Sequence, residues 1–240
     1  KCVILGKGME KEKFVILIGP PGSGKGTQAT LLSERLGLYL FETSKILEDW
    51  FAKSRDEDFV EADGQKFYAK AEKEMRSQGI LCSPPFVTKL VHDKIEQLFN
   101  EGKGVITSGS PRTLYEGEKL VPFLEKLYGR ENIWVCVLDQ DVETSIFRNS
   151  HRRICELMRH SILHSEEFEK LEYCPIDGSK LVKRVGVGDD AEHIKVRFAQ
   201  YKGRTEPIVG FFQKEGLKVK IFSGENTPAK LFDELLGFLS

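Results

Sequence analysis

Five apolar residues, Phe14-Val-Ile-Leu-Ile18, run directly into Gly19-Pro-Pro-Gly-Ser-Gly-Lys-Gly-Thr27, and behind that loop Ala29, Leu32 and Leu36 recur at helical spacing. A buried strand, a glycine-rich turn and a helix in that order constrain the chain more than any other feature. Glycines let successive backbone N–H groups turn inward around an anion, and the helix N-terminus adds partial positive charge. Gly22, Ser23, Gly24, Lys25, Gly26 and Thr27 are therefore the candidate phosphate-binding residues, with Lys25 long enough to reach β- and γ-phosphates. One detail is unusual: Gly26 follows the lysine where most such loops carry Ser or Thr, and the hydroxyl arrives one place later as Thr27.

Further short runs rich in β-branched residues, at 38–41, 104–107, 133–138 and 219–222, alternate with helical patterns. After Ser83-Pro-Pro, the residues Val87, Leu90, Val91, Lys94, Ile95 and Leu98 keep helical spacing, as do Leu231, Leu235, Leu236 and Leu239 near the end. Strand and helix in alternation predict an α/β fold in three layers, with a five-stranded parallel sheet covered by helices on both faces. Two segments fit that alternation poorly and are read as insertions: 42–82, charged and helical in pattern, and 148–186, weakly periodic. The core is then 13–41, 83–147 and 187–240, preceded by an extension over 1–12 in which Met9 is read as the natural start.

Apolar residues make up 40% of the 240, enough to bury a core of that size, and 36 basic against 37 acidic side chains leave a formal charge of −1. That balance argues against a generic nucleic-acid partner. No apolar run approaches bilayer length, which argues against a membrane-spanning helix. Five scattered cysteines, an odd number, make no disulfide framework, and a reducing, cytoplasmic setting is expected.

The loop GPPGSGKGTQ, together with Thr43, Gly109-Ser-Pro-Arg-Thr113, Arg148 to Cys155, Cys174 to Gly178, Asp189 to Tyr201 and Thr205 to Pro207, resembles adenylate kinases and their nucleoside monophosphate kinase relatives from about Lys13 onward. The resemblance implies a P-loop kinase fold in which 42–82 binds the acceptor monophosphate and 148–186 is a lid. It implies a magnesium-dependent, reversible transfer of the ATP γ-phosphoryl group to AMP by a monomer. Phosphoryl transfer leaves alignment and charge neutralisation to the protein, so cations must converge on the phosphates. By the family's motifs Lys25, Arg112, Arg152 and Arg197 form that clamp, with Arg184 less securely placed because Val185-Gly-Val-Gly188 separates it from Asp189-Asp190. Arg148 and Arg152 belong to the ATP side, whereas Thr43, Gly109, Arg112 and Glu116 belong to the acceptor side.

The acceptor side departs from the family's pattern. Glu48 stands where STGDLLR ends in a phosphate-binding arginine, Glu116 where a glutamine reads adenine, and Ser108 where an aspartate helps hold magnesium's water shell. Lys45, Lys53 or Arg55 are candidates to restore the missing positive charge. In the lid, Cys155-x-x-Met158 and Cys174-x-x-Asp177 overlie the four-ligand zinc site of many relatives, but a thioether is a poor zinc ligand. Cys155, Cys174 and Asp177 would need His160 or His164 to complete a structural site, and a metal-free lid is the favoured expectation. The departures keep two other functions open: a kinase for another nucleoside monophosphate, and a nucleotide-binding regulator with weak transfer.

Overall fold

The computed structural model describes residues 12–158, 160–162, 164, 166–183 and 191–240. Strands β1 (Phe14–Ile18), β2 (Tyr39–Glu42), β5 (Val105–Ser108), β6 (Ile133–Asp139) and β10 (Lys218–Ser223) form one sheet, in the order β10-β6-β1-β5-β2, with every pairing parallel. Each lies within a residue or so of its apolar run. β1 sits at the centre and is buried along its whole length, as a strand covered on both faces must be.

The pleat divides the core in two. Phe14, Ile16 and Ile18 point to one face with Val105, Ile133, Val135 and Val137, and there meet the helices α4 (Pro84–Asn100), α5 (Leu114–Tyr128) and α9 (Pro207–Lys214). Val15 and Leu17 point to the other with Ile106, Cys136 and Leu138, against α1 (Lys25–Leu36) and α10 (Pro228–Leu239). A period of two sorts consecutive residues of one strand into opposite layers, and the helical stripes expected at Val87, Val91, Ile95 and Leu98 and at Leu231, Leu235 and Leu239 close those layers.

The segment between β2 and α4 folds as α2 (Thr43–Lys53), an antiparallel hairpin of β3 (Phe59–Ala62) with β4 (Gln65–Tyr68), and α3 (Ala69–Ser77). The segment 42–82, expected to be helical, holds α2 and α3 but also this hairpin: Asp63 and Gly64 both take positive φ, 49° and 73°, which builds the two-residue turn that matches strand twist. After α6 (Val142–Ser150), the segment within 148–186 forms a small antiparallel sheet, β8-β7-β9, from β7 (Arg153–Cys155), β8 (Ser161–Ile162) and β9 (Leu181–Lys183), with a short helix α7 (Glu166–Glu169). The chain returns through α8 (Ala191–Gln200) and a π-helical turn over Tyr201–Thr205. No helix among the described residues is long and apolar enough to cross a membrane.

Candidate active site

The glycine loop leaves the C-terminal end of β1 and enters α1 through Gly24, whose φ of 89° lies in the left-handed region that favours glycine. Gly22, at φ 81°, has a further constraint: a Cβ there would stand 2.5 Å from Asn149 Nδ2. The helix α6 braces the loop from outside. Ser145 Oγ donates to the Pro21 carbonyl, Asn149 Nδ2 donates to Ser145 O at 2.7 Å, and Arg152 Nη2 donates to Asn149 Oδ1 at 2.8 Å. One short helix thus holds both the shape of the loop and the arginine that follows it.

Lys25 Nζ donates to the Pro20 carbonyl at 2.6 Å and lies 3.4 Å from the oxygen of Ser23, a fully buried side chain. Burial, followed by repulsion from Arg112, Arg197 and Arg152, holds the ammonium well below its usual pKa. The repelling cations come from the β5–α5 loop, α8 and the start of the 148–186 segment, three separate parts of the chain near the lysine of the glycine loop. Such a cluster is unfavourable empty and suits a polyanion.

Arg112 is presented by a loop that turns through a cis Ser110–Pro111 peptide. Thr113 caps α5 by accepting from Glu116 N, while Glu116 folds back to accept from Thr113 Oγ1 at 2.9 Å and from Ser110 Oγ and Arg112 N at 3.1 Å. Thr205 Oγ1 donates to the Arg112 carbonyl at 2.8 Å. Glu116 is 5% exposed, and burial pushes its carboxyl above the ordinary carboxylate range against the pull of these hydrogen bonds. Its oxygens are engaged in shaping the loop, although the residue also borders the cleft.

A cleft of about 610 Å³ runs from the glycine loop to α2 and α3, and Lys25, Thr43, Gly109, Arg112, Glu116 and Arg197 all line it. Thr43 is 3% exposed and its hydroxyl has no hydrogen-bond partner; a buried, unpaired hydroxyl on a cleft wall suits a ligand's polar atom. Arg148 lies outside this wall, its guanidinium donating to Gln140 Oε1 at 2.9 Å and to the Gly224 carbonyl at 2.6 Å. Arg184, with Asp189-Asp190, lies outside the described residues.

Of the cations offered to replace the one lost at position 48, Lys45 pairs with Glu42, and Arg55 pairs with Glu57 and Asp58 on the hairpin side. The end of the cleft at α2 and α3 is lined instead by Lys73 and Arg76 of α3, and Arg76 meets Glu48. Sequence reasoning missed both: 28 residues separate Glu48 from Arg76, and only the packing of the acceptor segment brings their helices together.

In the lid segment Cys155 and Cys174, both buried, meet His160 and Asp177, with all four donor atoms within 4.8 Å of one another. His160 Nδ1 lies 3.5 Å from each sulfur and 3.2 Å from Asp177 Oδ2. With Zn–S about 2.3 Å and Zn–N about 2.0–2.1 Å, tetrahedral edges of roughly 3.5 Å follow, so the donor set fits zinc. Met158 is 63% exposed and stands outside the cluster, and His164 packs on Phe147 and His151 instead. His160, two residues beyond Met158, is the residue that stands with Cys155, Cys174 and Asp177.

Strand, glycine loop, helix and a converging set of arginines define a P-loop phosphotransferase. Comparison with known proteins gives the family. The adenylate kinase family model matches residues 17–217. The chain is 31% identical to the adenylate kinase of Archaeoglobus fulgidus over 206 residues, covering 85% of this chain and 87% of that one. It is 28% identical to that of Petrotoga mobilis over 93% of this chain and 98% of the other, and 30% identical to that of Caldicellulosiruptor bescii over 88% and 92%. The chain belongs to the adenylate kinase family, a family of phosphotransferases that bind ATP and a nucleoside monophosphate, and nucleoside monophosphate kinase activity follows.

Proposed function

We propose that the protein transfers the γ-phosphoryl group of MgATP reversibly to AMP, giving two ADP. The convergence of Arg112, Arg152 and Arg197 on Lys25 carries this reading. Lys25 and the glycine loop hold the donor's phosphates, Arg152 and Arg197 neutralise charge on the moving group, and Arg112 holds the acceptor phosphate. Arg148, fixed against Gln140 and the Gly224 carbonyl, is the wall against which the donor base rests. An acceptor phosphate is already an anionic nucleophile, so no side chain is required as a general base.

Segments 42–82 and 148–186 act as covers that exclude water from the transfer. Among the described residues the carboxylates lining the cleft are Glu48 and Glu116, both at the acceptor end. Magnesium therefore suits this site as a hydrated ion carried on the nucleotide, where it would neutralise β- and γ-phosphate charge. The fit of Cys155, His160, Cys174 and Asp177 supports a structural zinc that braces the lid and takes no part in the transfer. The described cysteines are free, which suits a reducing, cytoplasmic setting, and the reading is of a monomer.

The engagement of Glu116 with its own loop favours a second acceptor class, because no amide at this position reads an adenine edge. Incubation of the protein with MgATP and, separately, AMP, CMP, UMP and GMP decides between them, with nucleoside diphosphates separated by chromatography. ADP from AMP at the highest rate is the expected result. A faster reaction with another monophosphate would replace AMP as acceptor, and no product from any would refute the kinase reading.

A further inference from the structure

The acceptor end of the cleft holds an ion pair that the assignments above leave unexplained. Arg76, in the last turn of α3, meets Glu48 of α2, Nη2 to Oε1 at 2.5 Å, and both residues line the cleft. The side chains are 32% and 61% exposed, and a pair this open to water is held weakly. Burial lowers the pKa of the Arg112 guanidinium, and Arg76 lies close enough for its charge to add to that. The carboxylate beside Arg112, Glu116, is already occupied by two hydroxyls and a backbone N–H.

Two neighbouring features tie Arg76 to a ligand site. The turn that ends α3 passes through Gly79, at φ 76°, where a Cβ would lie 3.7 Å from His193 and 4.0 Å from Arg197, so the end of α3 seats against the helix that carries Arg197. At the start of α2, the helix that carries Glu48, stands Thr43 with its buried hydroxyl unpartnered, and it too lines the cleft. Arg76, Arg112 and Arg197 thus border one end of the cleft, and the anion closest to Arg76 is a carboxylate that a stronger acceptor can displace.

We propose that Arg76 is a second ligand of the acceptor phosphate, giving up its pairing with Glu48 to grip the phosphate beside Arg112 when the monophosphate enters. The inference rests on the reading of this end of the cleft as the acceptor site. A phosphate dianion accepts two parallel N–H bonds from a guanidinium and carries more charge than a carboxylate, so the exchange runs toward the ligand. Glu48 then sets how readily Arg76 is surrendered, which makes the pair a device for tuning acceptor affinity without touching the donor side.

Titration calorimetry on the full chain, with AMP, CMP, UMP and GMP and separately with ATP, tests the assignment without requiring turnover. Arg76→Gln is expected to weaken the best-bound monophosphate at least tenfold and to change ATP affinity less than twofold. Glu48→Gln should tighten the monophosphate two- to fivefold when Arg76 is present and leave it unchanged in the Arg76→Gln background. Melting curves establish that each variant folds, with Arg76→Lys, which keeps the charge and loses the fork, as an intermediate step expected to bind between wild type and Arg76→Gln. Monophosphate affinity within twofold of wild type in Arg76→Gln would overturn the proposal, as would equal loss of ATP, or a gain from Glu48→Gln that is the same with and without Arg76. Absence of monophosphate binding by the wild type would overturn it too. Binding that behaves as expected, with no diphosphate formed from any acceptor, would instead sink the kinase reading alone.

Discussion

Replacing Lys25 with Met separates what the cation cluster does for the fold from what it does for the ligand. In the empty protein the ammonium is desolvated and repelled by Arg112, Arg197 and Arg152, and its recorded bonds are local, to the Pro20 carbonyl and Ser23. Each of the two bonds from this charged donor contributes about 1.5–3 kcal/mol, and removing a desolvated charge repelled by three arginines offsets that loss, so the ligand-free variant should melt close to wild type. The ligand side is different. Charge-assisted bonds to phosphate contribute about 1.5–3 kcal/mol each, and losing roughly 3 kcal/mol weakens ATP by about 100-fold. At an ATP concentration of about 100 times the wild-type Kd, binding stabilises the wild type by about 2.7 kcal/mol, or roughly 5–10 °C at 2–4 °C per kcal/mol for a chain of this size. The variant, then near its own Kd, should gain about 1 °C.

The sign of the pH dependence follows from the lowered pKa. A lysine that holds its proton less tightly folded than unfolded destabilises the fold fully below its folded-state pKa, and that cost fades as pH rises from there toward the unfolded value near 10.5. Any margin of the empty variant over wild type in a melting series should therefore narrow as the buffer becomes alkaline. Differential scanning fluorimetry with and without ATP reads every quantity. A fall of more than about 3 °C in the empty variant, or an ATP-induced shift equal to that of wild type, would refute the assignment of Lys25 as a strained cation awaiting phosphate.

Two further substitutions probe the supports of the site. Gly22→Ala places a Cβ 2.5 Å from Asn149 Nδ2 at a φ of 81°, at a cost of at least about 1–2 kcal/mol from the left-handed backbone alone; it should lower the melting temperature by several degrees and weaken ATP. Gly26→Ala, with open space around its Cβ, should leave the melting temperature unchanged or slightly raised, and equal loss from both would show that the loop is not held by α6. Elemental analysis of protein purified without chelator should find about one zinc per chain, lost on Cys174→Ser, with the core transition preserved. Zinc-free wild type of the same lid stability would return the lid to a hydrogen-bonded, metal-free structure.

Local pattern carried a great deal of this protein. The run Phe14–Ile18 followed by glycines and a helical repeat placed the central strand, the phosphate loop and Lys25, because backbone geometry and a period of two or 3.6 are properties of neighbours in the chain. Motif order then nominated Arg112, Arg152 and Arg197, which the fold brings around Lys25. The Asp63-Gly64 dipeptide is a further local signal of a two-residue hairpin turn, while the charge of the surrounding segment suggests helix.

What sequence could not decide were contacts between elements far apart in the chain. That His160 rather than His164 joins Cys155 and Cys174 depends on the pairing of β7 with β8, which returns His160 to Cys155, its carbonyl accepting from Cys155 N at 3.2 Å. That Arg76 answers Glu48 depends on α2 and α3 facing across one cleft. Sequence determined the strand, the loop and the identity of the cations, because those follow from local geometry and composition. Tertiary packing alone decided which charges face each other, because electrostatic partners are chosen by distance in space and not by separation along the chain.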